Sequence, residues 1–152
     1  MAKVKKIEIV NRKAAFEYFF NTVFEAGIKL VGTEIKSIRE GNVNLRDAYC
    51  VFKDGNLYVK SLYIAEYSHG NINNHETRRD RRLLLKKIEL RKLLKKVKEK
   101  GNTIVPYKLY ITDRGFAKLE IALATGKKSH DKRNTIKEKD QKRDLARQKK
   151  DY

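Results

Sequence analysis

The sequence contains one cysteine, one proline and no tryptophan among its 152 residues. A single cysteine, Cys50, excludes a disulfide framework within the chain, and its place in an apolar run favours a buried thiol over a reactive one. No run approaches the roughly 20 apolar residues that a membrane helix needs, and no apolar signal core follows the basic N-terminus. We therefore expect a cytoplasmic protein that has no membrane partner.

Sequence motifs of the common enzyme classes are also missing. The eight glycines are scattered as turn residues and form no phosphate-binding or dinucleotide-binding loop. None of the serines lies in a nucleophile elbow. His69 and His75 share a polar loop, but no cysteine or carboxylate pair with metal-ligand spacing accompanies them. We expect no catalytic residue, no metal and no cofactor, which makes an RNA nuclease or modifying enzyme the weakest class of function.

Positive charge is what the chain has in excess. Its formal net charge of +18 attracts polyanions, of which nucleic acid is the commonest. Residues 78–100 carry a net charge of +9 and residues 127–152 a net charge of +6, which leaves only +3 for the rest. Two basic elements on a nearly neutral body predict two separate contacts with polyanions. The alternative is a solvated helix together with a solubilising tail.

Two hairpins dominate the predicted secondary structure. The first joins residues 48–52 to 57–64 through a turn with Asp54-Gly55, a strong hairpin signal between β-branched and aromatic runs. The second joins residues 104–111 to 116–124, where apolar residues alternate along both strands. Pro106 suggests a sheet edge or a strand start. A further strand is predicted over residues 27–31.

Three short helices are also predicted. Asn11 can cap a helix over residues 12–20, whose Phe16, Phe19 and Phe20 share one face. One or two helical turns fit residues 33–39. Residues 83–85 lead into a helix that ends near Gly101 and has one apolar stripe among lysines and arginines.

This order of elements fits a β-rich α+β protein, an open Greek-key barrel of the oligonucleotide-binding kind. We assign residues 1–125 to the barrel and residues 126–152 to a basic C-terminal tail. Apolar residues almost vanish after Gly126, and so few cannot offset the entropy of ordering the chain. We therefore expect the tail to be disordered when free. Its good helix formers from Thr135 onward favour a helix on a phosphate-rich surface.

Three strings of residues carry a resemblance to a known family. They span residues 24–39 (FEAGIKLVGTEIKSIR), residues 74–85 (NHETRRDRRLLL) and residues 126–133 (GKKSHDKR). In this order they resemble the motifs of the SsrA-binding proteins, and the resemblance extends from Asn11 to about Arg147. The family often has proline where Thr77 stands and lysine where Arg82 stands.

The resemblance implies a six-stranded antiparallel barrel with three helices and a concrete function. Proteins of this family bind the tRNA-like domain of transfer-messenger RNA and accompany it, carried by elongation factor Tu, into stalled ribosomes. Their tail enters the vacant mRNA channel beside the decoding site of the small-subunit rRNA and becomes helical. Translation then resumes on the RNA's own reading frame, and the incomplete protein is tagged for proteolysis. We expect this chain to have the same function and to act as a monomer.

The resemblance also implies which residues make these contacts. Glu25, Leu84 and Lys86 match an RNA-contacting patch of the family, with Lys118 nearby. Flanked by two leucines, Leu84 fits core packing equally well, and Glu25 fits a solvated strand position. Arginines and lysines that can hold phosphates are Arg12, Lys13, Lys36, Arg39, Arg78, Arg79, Arg81 and Arg82. The expected ribosome-binding residues of the tail are Gly126, Lys127, Lys128, Asp131, Lys132, Arg133, Lys137, Lys139, Lys142, Arg143 and Arg147.

Two interpretations of the function remain open from the sequence. The first is an accessory factor that delivers a tRNA-like RNA to the ribosome. The second is a general oligonucleotide-binding or ribosomal protein with a basic extension, which the composition alone supports equally well.

Overall fold

The structure is a computed structural model that describes residues 7–70, 74–99, 101–127 and 133. The described part of the chain contains nine strands and three helices. In order, they are β1 (Glu8–Val10), α1 (Arg12–Glu17), β2 (Tyr18–Ile28), α2 (Gly32–Arg39), β3 (Val43–Asn44), β4 (Tyr49–Lys53), β5 (Asn56–Lys60), β6 (Tyr63–Ile64), β7 (Arg81–Leu84), α3 (Lys87–Val97), β8 (Asn102–Ile111) and β9 (Ala117–Gly126).

Seven of these strands form one antiparallel sheet in the order β1-β8-β9-β2-β7-β5-β4, and β3 pairs with β6. At one edge of the sheet, β4 comes within 8 Å of β8 in Cα positions, as in a sheet that curls towards a barrel. The β-rich antiparallel prediction is confirmed, and the arrangement is consistent with an oligonucleotide-binding-type fold. The six strands that the resemblance implies differ from the nine of the described residues, three of which, β1, β3 and β6, have only two or three residues each.

The inner face of the sheet is filled by aliphatic side chains from alternate strand positions. Ala26 of β2 and Leu119 of β9 are fully buried there. Ile38 of α2 and Leu93 of α3 pack into the same cluster, so both helices cover the core. Because successive residues of a strand point to opposite faces, the remaining positions of β2, β7, β8 and β9 form the outer face of the sheet.

Both hairpins are confirmed. β4 pairs with β5, and the turn between them has positive φ at Asp54 (52°) and Gly55 (79°), as a two-residue turn of this kind requires. β8 pairs with β9 over almost their whole length. Pro106 is the fifth residue of β8 rather than its start, and the pairing with β9 shifts immediately after it. This shift accommodates a residue that has no N–H to donate to the ladder.

The first helix is shorter than predicted. The Asn11 side chain does cap it by accepting a hydrogen bond from the N–H of Ala14 (3.2 Å), but the helix ends at Glu17. Tyr18 begins the 11-residue strand β2, which pairs with β9 along its length. The helical spacing of the three phenylalanines was therefore misleading: Phe16 lies in α1, whereas Phe19 and Phe20 pair with β9 and, as aromatic residues, suit a strand well.

Three other boundaries differ from the sequence prediction. The strand predicted over residues 27–31 is only the end of β2, which stops at Ile28. Residues 83 and 84 belong to β7, and the helix begins at Lys87. The strand predicted over residues 57–64 is broken at Ser61, whose φ of 58° divides it into β5 and β6. Each difference reflects pairing with a distant segment rather than a local preference.

Candidate nucleic-acid interface

Three of the predicted RNA-contacting residues lie on the outer face of the sheet. Gly27 of β2 pairs with Leu84 of β7 on one side and with Lys118 of β9 on the other. Tyr110 of β8 pairs with Lys118 and extends this row across four strands. Glu25 lies two residues before Gly27 and therefore shares the face. The fold thus brings Glu25, Leu84 and Lys118 together, although they are up to 93 positions apart in the sequence.

Leu84 belongs to the surface rather than to the core. Its side chain is 50% exposed, whereas the preceding Leu83 is 2% exposed. The two residues alternate along β7 and therefore point to opposite faces of the sheet. Lys86 follows as the exposed residue that precedes α3.

Carboxylates and lysines alternate on this face. Glu25 pairs across the strands with Glu120, and Lys108 of β8 also pairs with Glu120. Burial raises the pKa of Tyr110, and a hydrogen bond to Glu25 together with the charges of Glu25 and Glu120 raises it further. The Tyr110 hydroxyl therefore stays protonated at neutral pH and donates to the Glu25 carboxylate. This bond orients a carboxylate that can accept hydrogen bonds from base amino groups or a 2′-hydroxyl.

A buried ion cluster joins α2 to the segment before and within β7. The side chains of Glu34 and Arg81 are both fully buried and form a direct ion pair. Arg79 donates to the other carboxylate oxygen of Glu34 over 2.6 Å, and Arg81 also donates to the carbonyl of Leu62 over 2.7 Å. Burial alone raises the pKa of Glu34, but the hydrogen bonds from Arg79, the Val31 N–H and Arg81 outweigh it and hold that pKa below its ordinary value.

The prediction that Arg81 offers its charge to a phosphate is therefore corrected. Its guanidinium lies inside the protein, and burial lowers its pKa although Glu34 favours the charged form. The neighbouring residue in β7, Arg82, points outward and donates to Asn56 over 3.0 Å. The strand alternation thus assigns one arginine to the interior and the next to the surface.

A second group of predicted residues surrounds a cavity beside α2. Lys36 and Arg79 line it together with Asn74 and His75. His75 is buried, with its Nδ1 2.8 Å from the Thr33 hydroxyl and its Nε2 2.9 Å from the carbonyl of Ile64. The imidazole therefore fixes residues around position 75 against α2 and β6, which is a structural role.

The remaining basic residues are distributed around the body. Arg39 is exposed on α2, and Arg78 lies over the ring of Tyr63 at 5.6 Å while donating to the Ser61 carbonyl. Arg12 and Lys13 are exposed on α1, and Lys13 lines a different cavity with Arg46 and Tyr49 among its walls. The candidate phosphate-binding residues therefore do not form one patch: the sheet face, the α2 cavity and α1 are separate sites.

Of the predicted tail residues, the structure describes only Gly126, Lys127 and Arg133. Gly126 is the last residue of β9 and pairs with Tyr18. The backbone N–H of Lys127 donates to the Glu17 carbonyl over 2.8 Å, and its ammonium lies 5.0 Å from the centre of the Phe19 ring. The first two residues of the predicted tail thus pack against the body. Lys128, Asp131, Lys132, Lys137, Lys139, Lys142, Arg143 and Arg147 lie outside the described residues.

Phe116 is a candidate binding residue that the sequence did not single out. This residue precedes β9, is 64% exposed and lines a cavity together with Gly27, Leu84 and Lys118. The signal was available, because an aromatic residue directly after the Asp113-Arg114-Gly115 turn has few neighbours to cover it. The predicted strand over residues 116–124 included Phe116 as its first residue, although the alternation of that strand places position 116 on the outward face with Lys118.

Two features are absent from the residues that the structure describes. These residues contain no group of three or more histidine, cysteine, aspartate or glutamate side chains placed to hold a metal ion. They also contain no helix that is long and apolar enough to cross a membrane.

Comparison with known families and proteins gives consistent matches over nearly the whole chain. The SmpB protein family matches residues 8–151. The SsrA-binding protein of Phocaeicola vulgatus is 53% identical over 145 residues, which are 95% of this chain and 97% of the relative. The SsrA-binding protein of Bacteroides thetaiotaomicron is 52% identical over the same shares of the two chains. That of Moorella thermoacetica is 44% identical over 97% of this chain and 95% of the relative.

A solved structure matches as well. It is described as "tmRNA-SmpB: a journey to the center of the bacterial ribosome", and one of its chains is 45% identical to this one. The match covers 86% of this chain and 94% of that chain, with a TM-score of 0.70.

Proposed function

This chain belongs to the SmpB protein family, and we propose from this membership that it binds the tRNA-like domain of transfer-messenger RNA and delivers it to stalled ribosomes. The observation that carries the proposal is the family match over residues 8–151, together with SsrA-binding relatives about half identical over almost their full length. Delivery leads to trans-translation, which rescues the ribosome and tags the incomplete protein. Elongation factor Tu accompanies the delivered complex, and the reaction takes place in the cytoplasm.

The outer face of the sheet is the surface that we assign to the RNA. In its oligonucleotide-binding-type barrel, Lys118 supplies positive charge, Leu84 an apolar contact and Glu25 an oriented hydrogen-bond acceptor. Lys86 lies beside them at the start of α3. The mixture suits recognition of a folded RNA, which proteins read through its shape, its unpaired bases and its 2′-hydroxyls rather than through phosphates alone. The protein then needs no catalytic residue.

The basic tail is the part that we assign to the ribosome. Residues 127–152 carry a net charge of +6 on a segment with few apolar residues. Such a segment gains most from a surface rich in phosphates, such as the mRNA channel of the small subunit. The tail would probe whether that channel is empty while the barrel holds the RNA.

The first experiment separates the two interpretations left open by the sequence. RNA that copurifies with the tagged full-length protein from a bacterial lysate is sequenced. One dominant structured species, the transfer-messenger RNA, is expected. Bulk ribosomal RNA in the proportions of the ribosome would instead identify a general ribosomal RNA-binding protein, and would refute the proposal.

The second experiment separates the two contacts. A truncation after Lys127 keeps all of β9 and the bond from Lys127 to Glu17, so the barrel loses none of its described contacts. We expect affinity for transfer-messenger RNA within about threefold of that of the full chain, because the sheet face is intact, and loss of peptide tagging in a reconstituted translation system. Thermal unfolding of both proteins controls for folding. If the truncation abolishes RNA binding, the division into barrel and tail is wrong.

A further inference from the structure

An apolar cleft opens on the outer face of the sheet between β7 and the start of β9. Its most exposed apolar lining residues are Phe116 and Leu84, which are 64% and 50% exposed. The cleft has a volume of about 340 Å³, within the range of about 300–1,000 Å³ typical of small-molecule sites. A flat apolar ligand that fills such a space removes the exposed apolar side chains from water, which lowers the free energy of the complex.

The floor of the cleft is backbone. Gly27 lies between Leu84 and Lys118 in the sheet and has no side chain to fill the space above it. A Cβ atom built at this position would approach the Cβ of Leu84 to 3.2 Å, which is tighter than ordinary contact. The glycine therefore keeps Leu84 in place and the cleft open.

Cations lie in and near the cleft. Lys29 and Lys118 belong to its lining. Arg39 lies close by, because its guanidinium is 3.4 Å from the position that a Cβ atom would take on Gly115, the residue that precedes Phe116. A ligand that is apolar in its middle and negative at its ends matches this arrangement, and a nucleotide of a single-stranded RNA segment has this form.

We propose that the cleft holds one unpaired base of the bound RNA, which stacks on the ring of Phe116 opposite Leu84 while Lys29, Arg39 and Lys118 face the flanking phosphates. This inference rests on the proposed function, since it names the part of the RNA that the sheet face recognises. Proteins that read RNA by sequence or by tertiary shape commonly take up splayed-out bases on aromatic side chains. An apolar side chain of a protein partner would leave the three cations without counter-charges.

The absence of tryptophan from the chain makes the test direct. Phe116→Trp introduces the only tryptophan of the protein, and a base stacked on the indole quenches its fluorescence. We expect strong quenching when the tRNA-like domain of transfer-messenger RNA is added. Tyr49→Trp, at an exposed position of β4 that does not line the cleft, serves as the matched control and should change little.

A second variant measures affinity. Phe116→Leu keeps an apolar side chain but removes the aromatic face, and we expect binding at least about fivefold weaker, because stacking of one base is worth about that factor or more. RNAs with a single abasic site at each unpaired nucleotide then locate the base. On one of them, the wild type and Phe116→Leu should bind equally, and the Phe116→Trp signal should lose its quenching.

The outcomes are distinguishable. If the wild type does not prefer this RNA to ordinary transfer RNA, the proposed function fails and the cleft inference fails with it. If the wild type binds selectively but Phe116→Trp is not quenched, only the cleft inference is overturned. The same holds if Phe116→Leu weakens every abasic RNA to the same extent. Should Phe116→Leu unfold, the fluorescence of Phe116→Trp decides alone.

Discussion

Replacing Glu34 by glutamine removes one buried charge while the shape of the side chain is kept. In the wild type, the carboxylate joins α2 to Arg79 and Arg81 and accepts a hydrogen bond from the Val31 N–H over 2.9 Å. A glutamine oxygen can still accept that bond at the start of the helix. The substitution therefore tests the ion cluster rather than the helix cap.

The magnitude follows from what happens to the two arginines. The side chain of Arg79 is 36% exposed and can turn towards water, whereas Arg81 is fully buried and cannot. Leaving one buried charge without its partner costs about 3–5 kcal/mol. Because the carbonyl of Leu62 still accepts a hydrogen bond from Arg81, we expect the lower end, about 3 kcal/mol.

Urea denaturation followed by circular dichroism measures this loss of unfolding free energy. Glu99→Gln is the matched control, because Glu99 pairs with Lys96 over 3.6 Å on the exposed surface of the protein, where such pairs contribute about 0.2–0.5 kcal/mol. Adding Arg81→Met to Glu34→Gln should recover much of the loss, since no buried charge is then left unpaired. A loss below about 1 kcal/mol in Glu34→Gln would refute the reasoning.

The pH dependence of stability gives an independent test of the same cluster. The pKa of Glu34 is lowered from its ordinary value of 4.5 in the folded state. The stabilisation by its charge is therefore fully present above about pH 4.5 and is lost as the pH falls through the folded-state pKa. The difference in unfolding free energy between the wild type and Glu34→Gln should shrink below pH 4.5. A difference that stays constant down to pH 2 would contradict the assigned cause.

Two further predictions concern the core and the RNA surface. Cys50 is buried, and burial raises the pKa of its thiol. Because labelling needs an opening of the core, a thiol reagent should label Cys50 at least about 100-fold more slowly in the native protein than in urea. Equal labelling rates would contradict its burial. Lys118→Met should weaken binding of the tRNA-like domain and reduce the slope of log Kd against log salt concentration by about 0.9, the value of one phosphate contact. An unchanged slope would place Lys118 away from the RNA backbone.

Local alternation in the sequence was enough to predict the two hairpins and the outward position of Lys118. In both hairpins, turn residues and period-two patterns agree with the tertiary pairing, so local and global preferences coincide. Around Tyr18 they conflict. The spacing of the phenylalanines suits a helix, and only the pairing of β2 with β9 makes the strand more stable. That partner lies about 100 residues away, so no window of sequence around Tyr18 contains it.

The burial of Arg81 was unpredictable for a related reason. Residues 78–82 contain four arginines, and parity alone says only that Arg81 and Arg82 face opposite sides. Which side is inside depends on β7 pairing with β2 and β5, and on Glu34 reaching the strand from α2. The sequence shows the arginines as one basic run, whereas the fold uses one of them as a counter-ion for a buried carboxylate.

The mixture of charges on the outer face bears on how a strongly cationic protein can select one RNA. A face of lysines alone would attract any polyanion, because phosphate attraction carries no sequence information. Glu25 and Glu120 lie among Lys108 and Lys118 on this face. If RNA binds this face as we propose, a phosphate that approaches in the wrong register meets a carboxylate and is repelled, so that discrimination comes from the penalty as much as from the attraction. The excess positive charge of residues 127–152 lies on a separate segment of the chain, so in the proposed division of contacts a general attraction of that segment to ribosomal RNA would not weaken the selectivity of the sheet.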